Sequence, residues 1–219
     1  EFDSANQQLA RSYQELEGRN KIAEIFVGNG ELPQKAVNAL DVLVTLSNAD
    51  WATLRLMRDS QPGLHLVAVA GLAAQDLPPI PVITESETLA ATALTEGKIR
   101  VIDDYVMEAG ASLISIEMGM RSLVILPVKV GERILGLTIL VSRETNHFQP
   151  DSVDHLGSVV EGLGILVENA LLHDISEKDR INLEELTEEL FISNNNIVQA
   201  NELLEQRVMI RTQELEAAN

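Results

Sequence analysis

The chemistry available to this 219-residue chain centres on Arg121 and on the acids Asp103, Asp104 and Glu108. A guanidinium fork suits planar anions, so Arg121 can grip a carboxylate or phosphate. An ion pair with Asp103 or Asp104 is its plainer use. The three acids can hold a divalent cation, although adjacent acids at a strand end more often cap a turn. Tyr105, one of two tyrosines, falls among them. It serves either as a pocket wall or as core. Met107, Ile114, Ile116 and Met118 offer an adaptable apolar lining, or ordinary core. Four histidines occur, His65, His147, His155 and His173, and none has metal-ligand spacing. His65, in a strand-like stretch, can act as an axial haem ligand, and a surface or satisfied histidine is the simpler use. The other three are expected to face solvent. No Ser/His/Asp set, paired carboxylates or phosphate-cradling glycine pattern stands out. No catalytic residue, no metal site and no enzyme activity are expected.

Composition narrows the field further. There is no cysteine, which excludes disulfides, thiolate metal sites and thiol catalysis. Acidic residues number 34 against 16 basic, for a formal charge of -18. Such a chain repels phosphate backbones, so no nucleic-acid partner is expected; solubility is the plain use of the charge. No apolar run approaches the roughly 20 residues of a membrane helix, and no signal peptide is visible. Direct membrane insertion is not expected, and a cytoplasmic location is.

The elements that must position these residues follow from pattern. Pro33 suits the first turn of a helix whose apolar face is Val37, Leu40, Leu43 and Val44. Trp51 to Arg58 and Leu64 to Ala70 read as a hairpin across Asp59-Ser60-Gln61-Pro62-Gly63. Trp51 plugs one end of the sheet. Gly71 to Pro81 is loop. Thr84 and Glu87 have capping-box spacing for a helix ending at Gly97. Ile99 to Asp103 is a short strand. Asp104 to Gly119 lacks a clean period and reads as a mobile crossover with one short helix. Ser122 to Val130 and Ile134 to Ser142 form the clearest hairpin, around Gly131-Glu132-Arg133. Pro150 opens a long final helix with Val153, Leu156, Val160, Leu163, Val167, Ala170 and Leu171 on one side.

Both ends of the chain carry heptads. Leu9, Leu16 and Ala23 recur every seven, as do Asn6, Tyr13, Asn20 and Val27. Near the C-terminus Leu190, Ile197, Leu204, Arg211 and Ala218 form one series and Asn194, Asn201, Val208 and Leu215 the other. These are coiled-coil seams, and asparagine at a-type positions favours a parallel, in-register pair. Gln213 to Asn219 repeats Gln14 to Asn20 except at two positions. The chain is therefore expected to be one unit of a longer modular protein, and to form a homodimer. A helix from Ser176 to Asn219 would span roughly 65 Å at about 1.5 Å per residue, and its polarity demands a partner.

The stretch Gly119-Met120-Arg121-Ser122-Leu123-Val124-Ile125-Leu126-Pro127-Val128 leads through Gly131-Glu132-Arg133-Ile134-Leu135-Gly136 to Phe148-Gln149-Pro150-Asp151, and later to Glu168-Asn169-Ala170. With the element order, this resembles a GAF domain, over about Pro33 to Asp174. Val101-Ile102-Asp103-Asp104 also fits the family's third strand. Leu204-Glu205-Gln206-Arg207-Val208 and Arg211-Thr212-Gln213-Glu214-Leu215 look like the linkers of bacterial sensor histidine kinases. The resemblance implies an α+β fold, a central antiparallel sheet with helices on both faces. It divides the chain into an N-terminal signalling helix (1-28), a GAF domain (31-175) and a coiled-coil linker helix (176-219).

The resemblance also implies a small ligand between the sheet and the crossover, contacted by Tyr105, Arg121, Asp103, Met107, Ile114, Ile116 and Met118. The cofactor or ligand stays unknown. Without cysteine, bilin attachment and the family's methionine-sulfoxide reductase chemistry are not possible. The N-K-x-F-D-E-type signature of cyclic-nucleotide members is missing. One Trp, two Tyr and four Phe offer few surfaces on which a base could stack. The expected function is a regulatory sensor that passes a ligand signal through a parallel coiled coil. The alternative is a ligand-free dimerisation and relay module.

Overall fold

The computed structural model describes residues 2–58, 61–71, 88–108 and 111–217. The capping box at Thr84 and Glu87 and most of the loop from Gly71 to Pro81 lie outside the described residues, as do the side chains of Asn6 and Leu9. The chain divides into two compact units, residues 1–171 and 172–219.

In the first unit, α1 (Phe2–Val27) is followed by α2 (Leu32–Ser47). Pro33 stands in the first turn of α2, where its missing N–H costs nothing. Asn48 ends the helix in the left-handed conformation (φ 50°), returning its N–H to the Val44 carbonyl. Strands β1 (Trp51–Arg58) and β2 (Gln61–Ala70), helix α3 (Thr88–Glu96), strand β3 (Arg100–Ile102), helix α4 (Leu113–Glu117), and strands β4 (Ser122–Val130) and β5 (Arg133–Ser142) follow. Helix α5 runs from Pro150 to Ala217. β2 begins three residues before the apolar run at Leu64, because Gln61 pairs through its backbone with Arg58. The hairpin β4–β5 matches the sequence expectation closely.

The sheet is antiparallel throughout, in the order β2-β1-β5-β4-β3. Strand side chains alternate, so the sheet has two faces. On one, Ala52, Leu54, Leu56, Val124, Leu126 and Leu140 pack against Ala36, Leu40 and Leu43 of α2 and against Val153, Leu156, Val160, Leu163 and Val167 of α5. On the other, Trp51, Leu64, Leu123, Ile125, Leu137 and Val141 pack with Ala90 and Ala93 of α3, Ile102 and Tyr105. This α+β arrangement, helices on both faces of one antiparallel sheet, is the architecture the sequence predicts.

Two glycines set the spacing of the layers. A Cβ on Gly136 would run into the Arg55 carbonyl oxygen, and one on Gly164 into the carbonyl of Lys129. Backbone thus approaches backbone where β5 meets β1 and where α5 meets β4. The side chain of Glu168 on α5 accepts a hydrogen bond from Arg133 at the start of β5. Helix α1 contributes Ile22, which is 1% exposed, to the core. Its seam residues Tyr13, Leu16 and Val27 stay exposed.

Thr138, in the middle of β5, has a fully buried hydroxyl without a hydrogen-bond partner among the described residues. Its register partners are Leu54 and Leu126, both in the core on the helix side. An orphaned buried hydroxyl costs about 1–3 kcal/mol. Thr138→Val, nearly isosteric, should therefore stabilise the chain by about 1 kcal/mol. Urea unfolding that gives an unchanged or lower midpoint would mean that the hydroxyl is satisfied.

In the second unit, residues 172–217 are helical and their described side chains exposed. Leu183, Leu190, Ile197 and Leu204 recur along it every seven residues, with Val208 four further on, each more than half exposed. Arg180 bonds to Glu177 and Glu184 on the same helix. Glu177 is held below the usual carboxylate range, first by the hydrogen bond from Arg180 and then by its charge. The support this pair gives the helix is therefore full at neutral pH. It is lost as the pH falls through the depressed value.

One 18-residue window of α5, at a mean hydropathy of 1.2, is long and apolar enough by composition to cross a membrane. The sequence reading sees no such run. Core burial of Val153, Leu156, Val159, Val160, Leu163 and Val167 accounts for the apolarity of the helix's first half.

Candidate functional site

The crossover is held by backbone bonds at the end of the sheet. Asp103 follows β3, and its carbonyl accepts from the Asn146 N–H at 2.8 Å. The Asp104 carboxylate accepts from the Val106 N–H at 3.2 Å and caps a single 3-10 turn, Tyr105–Met107. That is the capping use of adjacent acids weighed for this position. The Tyr105 N–H donates to the Arg121 carbonyl at 2.6 Å, and the Arg121 N–H to the Ser142 carbonyl at 2.9 Å. Tyr105 is 7% exposed, and its hydroxyl accepts from the Ser112 N–H at 3.0 Å, just before α4. One tyrosine thus ties β3, β4 and α4 together.

The expected ligand contacts separate into three groups. Tyr105 and Ile116 lie on the apolar cluster of this face, with Met120 beside them. Met118 and Arg121 are partly buried. Asp103, Met107 and Ile114 are exposed, Met107 at 82%. No salt bridge joins Arg121 to Asp103 or Asp104 among the described residues, so the ion pair considered for them is not formed. The crossover has two short helical pieces, a 3-10 turn and α4, where the sequence suggests one.

The histidines are distributed differently from expectation. His65 pairs with Leu56, a residue of the helix-side core, and so faces away from Tyr105. His147 is not solvent-facing: Nε2 lies 2.9 Å from the Ser47 carbonyl, and its ring meets Phe148 edge-on. His155 sits 3.4 Å from Glu15 of α1, which also accepts from the Ser158 hydroxyl. These contacts fasten α1 to α5. His173 is exposed. Among the described residues, no group of three or more His, Asp or Glu is arranged to hold a metal.

Arg55 was not anticipated. It is 2% exposed in β1, between Leu66 of β2 and Leu137 of β5. Leu137 belongs to the cluster beneath Tyr105, so Arg55 and, two residues earlier, Thr53 share the crossover face. Arg55 is engaged by another group of the chain. The signal was present in the sequence: Trp51, Thr53, Arg55 and Met57 alternate with Ala52, Leu54 and Leu56. Once Trp51 faces the crossover, Arg55 must follow.

A concavity lies on the helix side. It encloses about 460 Å³ between α1 and α2, lined by Glu17, Gly18, Lys21, Asp41, Val42, Thr45, Leu46 and Asn48. Lys21, its one cation, pairs with Glu17 at 2.8 Å. That hydrogen bond and the Glu17 charge raise the lysine's pKa.

A five-stranded antiparallel sheet, helices α2 and α5 on one face and a short-helix crossover on the other, defines the class of small regulatory ligand-binding modules. The GAF domain family matches residues 32–167, and the chain belongs to that family. Comparison with curated proteins returns no match. Solved structures with the same fold include the GAF domain of a phosphoenolpyruvate-protein phosphotransferase from Coxiella burnetii (TM-score 0.64, 16% identity, 74% of this chain and 98% of that one). Another is the free methionine-R-sulfoxide reductase of Neisseria meningitidis in complex with its substrate (TM-score 0.61, 17% identity, 73% and 91%). A third is the A. aeolicus nlh2 GAF domain in an inactive state (TM-score 0.59, 16% identity, 75% and 99%). At these identities the likeness is one of fold.

Proposed function

We propose that the chain is a regulatory sensor module of a signalling protein such as a sensor histidine kinase. A small molecule binds between the sheet and the crossover, and the signal leaves through α5 in a parallel homodimer. The observation that carries this reading is the double role of α5. One helix supplies Val153, Leu156, Val160, Leu163 and Val167 to the sheet's core and, further on, the exposed series Leu190, Ile197, Leu204 and Val208. A differential ligand affinity of a few kcal/mol is enough to shift a two-state helix pair.

The reading assigns no catalysis to this chain and places it in the cytoplasm, without nucleic-acid binding or membrane insertion. The lack of cysteine supports the first point, since thiol chemistry is closed to it. Closure of the apolar cluster beneath Tyr105, where Ile102 and Leu137 are almost wholly buried, favours the second reading, a ligand-free relay. Native mass spectrometry of protein isolated from its own source separates the two. The sensor reading predicts a retained small molecule, released on denaturation. A mass equal to that of the bare chain favours the relay.

A further inference from the structure

We propose that Asn29 is a site of spontaneous deamidation, and that its conversion to isoaspartate loosens the end of α1. Gly28, Asn29 and Gly30 lie exposed between α1 and α2. Asn29-Gly30 is the one Asn-Gly pair in the sequence. The reaction needs the backbone nitrogen of the following residue to reach the asparagine Cγ, and a side chain on that residue obstructs the approach. Glycine has none. Even a Cβ built on Gly30 would meet nothing within 4 Å, so the surroundings are open as well. Among the described residues no hydrogen bond engages the Gly30 N–H or the Asn29 amide. The connector's own backbone bond runs from the Gly28 N–H to the Glu24 carbonyl, at 3.2 Å.

The other asparagines are placed against the reaction. Asn20, Asn38, Asn169, Asn182, Asn194 and Asn201 stand inside helices, whose backbone ladder holds the following nitrogen. After Asn48 the Ala49 N–H is bonded to the Val44 carbonyl at 3.2 Å. After Asn146 comes His147, with its imidazole fixed against the Ser47 carbonyl.

The Gly30 nitrogen, once its proton is lost to base, attacks Asn29 Cγ. A carbon–nitrogen bond forms, the bond from Cγ to the side-chain nitrogen breaks, and ammonia leaves. Water then opens the cyclic imide at either carbonyl, which yields aspartate or isoaspartate. No electrons are exchanged, and water is the only co-reactant. Each product sets a carboxylate two residues past the end of α1, where the helix dipole is already negative. Lys35 donates to the Phe26 carbonyl there at 3.0 Å, and the new anion competes for its ammonium. The isoaspartate also lengthens the connector by a methylene. Helix α2 is spared, since an anion near its N-terminus is favourable.

The full chain is incubated in mildly alkaline and mildly acidic buffer, folded or held in urea, and its peptides are weighed. The folded chain is expected to gain about one mass unit on the peptide holding Asn29, with ammonia released in equal amount. The gain should be faster in alkali, and within about tenfold of the rate in urea, because an exposed connector needs little opening. Asn29→Gln, which would have to close a larger ring, should abolish it. Hydrogen exchange of the converted chain should quicken at residues 24–27 and stay unchanged in α2. A folded chain that keeps Asn29 while the chain in urea converts overturns the site. So does conversion that starts at another asparagine, or that persists in Asn29→Gln. Unaltered exchange at residues 24–27 after conversion overturns the loosening of α1.

Discussion

Sedimentation equilibrium of the chain at about 10–50 µM is expected to give a dimer, and the double substitution Leu190→Asp, Ile197→Asp a monomer. Leu183, Leu190, Ile197 and Leu204, spaced by seven, and Val208 of the companion series each expose more than half their surface. Fully burying such a side chain is worth about 1.5–3 kcal/mol, and ten of them across a pair are set against the roughly 4–15 kcal/mol cost of association. Two aspartates per chain remove four of the ten contributions and place four like charges in the seam, which reverses the balance. Orientation has its own marker. Asn194 and Asn201 fall at a-type positions, where an amide pairs only with its symmetry mate in a parallel, in-register coil. Asn201→Leu should raise the melting temperature and broaden the oligomer distribution. A strictly dimeric Asn201→Leu variant with unchanged melting would put Asn201 outside the seam.

Gly136→Ala is expected to cost about 3 kcal/mol, the upper end of the overpacking range. The added methyl meets the carbonyl oxygen of Arg55 and the Cα of Leu56, which are backbone atoms of the neighbouring strand and cannot rotate away. The strands β1 and β5 would have to part at their pairing of Leu56 with Gly136. Gly131→Ala is the control. It lies in the β4–β5 turn with no atom near its Cβ, and its penalty comes only from φ of +59°. A urea midpoint for Gly136→Ala no lower than that of Gly131→Ala would show that the close approach is not needed.

Much of the architecture was legible because its signals are local. Pro33, Gly97 and the turn Gly131-Glu132-Arg133 mark boundaries by their own backbone limits, and the apolar runs on either side of that turn mark β4 and β5. What was not legible depends on partners distant in sequence. The extra pairs at the start of β2 come from backbone bonds, which side-chain pattern does not encode. Asp104 can be a ligand or a cap, the cap being the commoner use, until the Val106 N–H is seen to bond its carboxylate. His147 reads as a surface residue because Ser47, which it meets, lies 100 positions away. Arg55 lies in a strand read only as half of a hairpin. Alternation places it on the face of Trp51, but only the tertiary fold says what that face meets.

Hydrogen exchange, comparing protein isolated from its own source with the same protein after unfolding and refolding, tests the central claim most directly. A ligand held between the sheet and the crossover must protect amides in both the site and the output helix. The account predicts that the stripped protein exchanges faster across residues 103–121, the Ser112 N–H included, and also along α5 beyond Ser176. Unchanged exchange in both places, or a change confined to the groove between α1 and α2, would contradict it.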